Sequence, residues 1–141
     1  MKQSIPHHVF YRAMVVWILF VPVAFINGTL RELVYKPYTG ELVAHQISTI
    51  LACVAFFCLA YWLLATHVIA LSKWKLFAIG FLWLVLTILF EFGLGRLTGA
   101  PTAKLLHDYN LTEGRIWMLL LLTVLLTPLW IQQLHLRKPE V

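Results

Sequence analysis

Long apolar runs alternate with short polar breaks along the chain, and nearly all the charged residues fall in or beside the breaks. With charges taken as boundaries, four runs emerge at about 8–30, 42–71, 76–95 and 116–136. Each is near or above the roughly 20 helical residues that cross a hydrocarbon core of about 30 Å. The pattern predicts an all-α protein: one transmembrane domain over 1–141, a four-helix bundle of up-down topology.

The breaks carry their own signals. Arg12 lies near the start of the first run, close enough to snorkel to the interface, and Pro22 predicts a kink further along. The polar stretch Arg31–Glu41 is expected as the first loop, with Lys36-Pro37-Tyr38-Thr39-Gly40 placed as a turn. Ser72-Lys73-Trp74-Lys75 predicts a tight connection between the second and third runs. The third run holds Glu91 as its only acidic residue, and the second long loop begins at Arg96. After the Gly99-Ala100-Pro101 break, an amphipathic piece from Pro101 to Tyr109 is expected along the membrane surface, and Pro128 predicts a kink in the last run. Tyr11, Trp74 and Trp130 fit an inner aromatic belt; Tyr35, Tyr38, Tyr109 and Trp117 fit an outer one.

Composition agrees with a lipid solvent. The chain is 61% hydrophobic and 12% charged, against roughly 45–50% and about 25% in soluble domains, which excludes disorder and an ordinary soluble fold. Lys2 and Arg12 ahead of the run from Met14 to Ile26 resemble a signal peptide, but no A-x-A site follows, so the run is expected to remain as a span. Cys53 and Cys58 lie mid-span and read as packing residues.

Net charge is +5, from 11 basic and 6 acidic residues. The bases flank the spans instead of forming a stripe interleaved with aromatics, so they report orientation and imply no nucleic-acid partner. Both termini are expected in the cytoplasm. That places Lys2, Arg12, Lys73, Lys75, Arg137 and Lys138 inside with Glu140 as the only acid, whereas five bases and five acids lie outside.

At an offset of 65 residues Phe25-Ile26-Asn27-Gly28-Thr29-Leu30-Arg31 aligns with Phe90-Glu91-Phe92-Gly93-Leu94-Gly95-Arg96, and both read F-x-x-G-x-x-R. Two duplicated helical hairpins are one reading; ordinary uses of Phe, Gly and Arg at helix ends are the other. Gly93 and Gly95 read as sites of close helix approach.

Unusual polar residues concentrate at the outer helix ends: Asn27, Arg31, Glu32, His45, Gln46, Glu91, Arg96, Glu113 and Arg115. Glu91 stands out, because an ionised carboxylate about one turn inside its span is costly unless paired. Arg31, Arg96 and Arg115 are its expected partners, with no means of choosing among them. Either these charges simply tie the helix ends together, or they line a cavity in which arginines meet an anionic or amphiphilic ligand while Glu91 and His45 accept protons. Six histidines raise the question of haem. His45 and His107 would have to meet at the outer end, and His45 and His67 lie about 33 Å apart on one helix, at the two surfaces and not inside the bundle. No cofactor and no metal site is expected. G-x-S-x-G, H-E-x-x-H and C-x-x-C are all missing, so no reaction is specified.

Asn27-Gly28-Thr29-Leu30-Arg31-Glu32, Phe90-Glu91-Phe92-Gly93-Leu94-Gly95 and Asp108-Tyr109-Asn110 together resemble an uncharacterised family of small four-span bacterial inner-membrane proteins. The resemblance covers most of the chain. It implies a bacterial inner membrane and carries no activity, cofactor or catalytic residue. The expected function is binding or transport of a small solute or lipid-like ligand through the outer polar cluster, with membrane lipids and either further copies of the chain or a partner membrane protein around it. The alternative is a nonenzymatic accessory or assembly subunit of a larger membrane complex. An enzyme acting on lipid would need Glu91 and His45 in one cleft.

Overall fold

The computed structural model describes residues 4–137; Lys2, Lys138 and Glu140 of the expected inner charge set lie outside them. The chain runs α1 (His7–Leu30), a π-helical turn (Arg31–Tyr35), α2 (Lys36–Thr39), α3 (Glu41–Val68), α4 (Lys73–Leu97), α5 (Thr102–His107), a 3₁₀ turn (Leu111–Glu113) and α6 (Trp117–Leu136). There is no strand among the described residues. Hydrocarbon offers no water to satisfy backbone amides, so apolar runs of this length must bond internally as helices. Four helices are long and apolar enough to cross a membrane, the first being His7–Thr39 taken as a whole.

That first helix corrects the expected loop at Arg31–Glu41. The backbone stays helical to Thr39, and only Gly40 turns, with φ at 81°. Pro37 explains the π-helical turn in front of it. In a regular helix its ring would press on the Leu33 carbonyl, and one extra residue in the turn relieves the contact. The polar residues here mark depth in the membrane and not a chain break.

The helices form a ring in the order α1, α3, α6, α4. Along α3 every fourth residue from Ala44 to Val68 is buried: Ala44, Ser48, Ala52, Phe56, Ala60, Leu64 and Val68. Residues four apart lie one above the other, so the seven form a continuous, slowly winding row, and its small members Ala44, Ser48, Ala52 and Ala60 let neighbouring helices come close. Between α4 and α6 the approach is closer still, because a Cβ on Gly80 would lie 1.9 Å from the Leu125 carbonyl oxygen. Gly95, an expected close-approach site, instead receives the Leu105 side chain from α5, and Gly93 faces open space. α5 is therefore folded back onto α4.

The fourth side of the ring, between α1 and α4, is built differently. Large rings stand between the backbones: the Trp83 indole donates to the Ala13 carbonyl at 3.0 Å, and Trp17 Nε1 donates to Thr87 Oγ1 at 3.2 Å. Phe20 stacks on Phe56 with centroids 4.2 Å apart, and Trp83 meets Phe20 edge-on at 5.2 Å. All three rings are buried. They close the middle of the bundle. At the end near Ser72, Gln132 Nε2 lies 3.1, 2.9 and 2.8 Å from the carbonyls of Val68, Ile69 and Leu71, tying α6 to the last turn of α3. At the opposite end, near Gly40, the α1–α4 side stays open.

Candidate functional site

The open side holds a cavity of about 620 Å³. Phe56 and Leu120 form its floor, Phe25, Phe90 and Leu94 its walls, and Arg31, Glu32 and Asp108 its rim. From Thr87 on α4 to Thr98 at its C-cap, both lining it, the wall runs roughly 16 Å along the helix axis. Phe25 and Phe90, the first residues of the two F-x-x-G-x-x-R copies, meet across the cleft with centroids 6.3 Å apart. The arginines that end the copies diverge. Arg31 lines the cavity, whereas Arg96 is exposed and makes no ion pair among the described residues.

Glu91 projects from α4 into this space. Its Oε2 accepts hydrogen bonds from the Tyr109 hydroxyl at 2.7 Å and from Trp117 Nε1 at 2.9 Å. No arginine reaches it, which corrects the expected pairing. Two of the three arginines are taken by other acids, Arg31 by Glu32 at 3.2 Å and Arg115 by Asp108 and Glu41, both at 2.9 Å, and Arg96 is exposed. Lys36 adds a second base on Glu32 at 3.0 Å. Tyr109 and Trp117, expected as belt anchors, are instead the two donors on the carboxylate.

The segment that delivers Tyr109 is fixed at several points. Leu105 seats on Gly95, and Asn110 caps the 3₁₀ turn by accepting from the Thr112 amide at 3.2 Å. Gly114 takes a left-handed φ of 78°, and its carbonyl accepts from Gln46 Nε2 at 2.9 Å. His107 pairs with Glu113. Arg115 then clamps the segment to the start of α3 through Glu41. Burial, and after it the hydrogen bond to Glu91, hold the Tyr109 phenol above its ordinary range, so it remains a protonated donor. Glu41 first, and then Asp108, raise the Arg115 guanidinium against the opposing effect of burial, so the clamp stays charged.

The other expected site residues divide between cavity and scaffold. Asn27 Nδ2 donates to the Ser48 carbonyl at 2.8 Å, joining α1 to α3, and Gln46 holds the Gly114 loop; both are structural ties. His45 is 2% exposed, and neither ring nitrogen has a hydrogen-bond partner. Its Nδ1 lies 3.9 Å from Asp108 Oδ1, and its ring tilts against Trp117. His45 does not line the cavity that Glu91 lines, so the acid–base pair a lipid-acting enzyme would need is not in one cleft. His107, its partner in the haem arrangement, is engaged with Glu113. Among the described residues no group of three or more His, Cys, Asp or Glu side chains is placed to hold a metal ion.

Asp108, Tyr109, Trp117 and Glu41 were not among the expected site residues. Their one signal was the run Asp108-Tyr109 in a segment returning toward the membrane, which periodicity alone does not orient. Comparison of the chain with protein-family models, curated proteins and solved structures finds no match.

Proposed function

We propose that this multi-pass membrane protein lies in a bacterial inner membrane with both termini in the cytoplasm, and binds a small lipid-like molecule in the α1–α4 cleft at its periplasmic end. The observation that carries the reading is the cavity itself. Its 620 Å³ falls within the roughly 300–1,000 Å³ typical of ligand sites, and it joins an apolar floor to a few convergent polar groups in the manner of such sites. One end suits an acyl or alkyl chain, and the other suits a polar head.

Gly28 offers a direct test. It lines the cavity, and a Cβ built on it meets nothing within 4 Å, so Gly28→Trp fills the space without disturbing the backbone. Native mass spectrometry of the gently solubilised protein should show a retained amphiphile that the variant lacks. Equal occupancy in both proteins would overturn the reading. A stoichiometric protein partner together with an empty cleft would favour the accessory-subunit alternative.

A further inference from the structure

The charges around the cleft do not balance. Three carboxylates, Glu32, Glu91 and Asp108, line it with one base, Arg31; Arg31 is held by Glu32, and Arg115 reaches Asp108. The carboxyl left without a basic partner is Glu91. Its Oε2 receives only the neutral donors Tyr109 and Trp117, and its Oε1 receives none. An ionised carboxylate one turn inside a span calls for a cation, and among the described residues the protein does not supply one.

The walls around Glu91 suit an organic cation better than a hydrated metal ion. Phe25, Phe90 and Trp117 line the same cavity as the carboxylate. Aromatic faces attract ammonium groups, most strongly where water is excluded. An anionic head would fare badly, since Arg31, the only basic side chain among the described residues lining the cavity, already holds Glu32, and three carboxyl groups line the same space. Below the carboxylate the floor at Phe56 and Leu120 accepts a hydrocarbon tail.

We infer that the occupant of the cleft is an amphiphile with an ammonium head, whose cation pairs with the Glu91 carboxylate between aromatic rings and whose tail lies on the apolar floor. This rests on the proposed binding role and narrows it. The head belongs either to an amine-bearing phospholipid of the surrounding bilayer or to a free alkylammonium compound that enters from water.

The test uses the full chain in neutral maltoside micelles, titrated calorimetrically with octyltrimethylammonium, octyl sulfate and octanol. The ammonium should bind about tenfold or more tighter than the other two. Glu91→Gln, which keeps both hydrogen-bond donors and removes the charge, should bring the ammonium to the level of octanol and leave octanol itself unchanged. Octyl sulfate binding as well as the ammonium, or an unaltered preference in Glu91→Gln, would overturn the inference. If that variant fails to fold, the order of the three probes on the unmodified protein decides alone. Gly28→Trp separates the two levels of the argument. Octanol binding that Gly28→Trp abolishes, with no preference for the ammonium, leaves the cleft a binding site and removes the cation; no binding of any probe removes both. To separate the sources, the protein is reconstituted in phosphatidylethanolamine and in phosphatidylglycerol bilayers, and retained lipid is read by mass spectrometry. Selective retention of phosphatidylethanolamine assigns the head to lipid, equal retention assigns it to the free cation, and selective retention of phosphatidylglycerol overturns the inference.

Discussion

Trp117 Nε1 and the Tyr109 hydroxyl converge on a single oxygen of Glu91, one from the first residue of α6 and the other from the segment that precedes it. Because the donors share one acceptor, removing either leaves the other free to shorten and strengthen. Trp117→Phe and Tyr109→Phe should each lower stability by about 1 kcal/mol, and the double variant should lose more than the sum. Thermal unfolding of the four proteins of the cycle reads this coupling. Strict additivity would mean that the two bonds act independently.

The Tyr109 phenol carries a pH prediction. Its folded value lies above the ordinary one, through burial first and Glu91 second, so folding favours the protonated phenol. The contribution is complete below about pH 10 and fades only as pH rises past that point. Tyr109 should therefore stay silent while an ordinary tyrosine ionises. The tyrosinate absorbance step near pH 10 should have the same amplitude in Tyr109→Phe as in the unmodified protein; a step smaller by one tyrosine would contradict the buried donor.

Two glycines predict opposite outcomes for the same substitution. At Gly80 a methyl group would meet the Leu125 carbonyl at 1.9 Å, backbone against backbone, so Gly80→Ala must part α4 from α6 and should destabilise by roughly 1–3 kcal/mol or more. At Gly28 there is open space, and Gly28→Ala should gain up to about 1 kcal/mol from helix propensity. Parallel melting curves would settle both.

His45 predicts a change without a loss. Its ring is buried and both nitrogens lack hydrogen-bond partners, so an apolar side chain of similar volume should serve the fold as well or better. His45→Leu should match the unmodified protein or exceed it by about 1 kcal/mol. A marked drop in melting temperature would show that the contact with Asp108 at 3.9 Å contributes more than its geometry suggests.

The spans were legible because hydrocarbon thickness sets a length that composition alone reveals. The helix from Arg31 to Thr39 was not, since polar residues beyond the hydrocarbon look the same in a loop and in a helix leaving the membrane. Glu91 stood out as a costly charge, but its partners did not. An arginine was the expected counter-charge, yet Glu32 holds Arg31, Asp108 holds Arg115, and Arg96 is exposed. Tyr109, 18 residues away in sequence, reaches Glu91 only because Leu105 seats on Gly95 and Gln46 holds Gly114. Those tertiary contacts leave no periodic trace.

The buried stack of Phe20, Phe56 and Trp83 sets a direction on whatever the cleft holds. Beneath the floor there is packed aromatic carbon, and beyond that the Gln132 tie fastens the far end. On the proposed binding role, a single chain would hold its guest at one end of the bundle, with packed aromatic carbon between it and the other end.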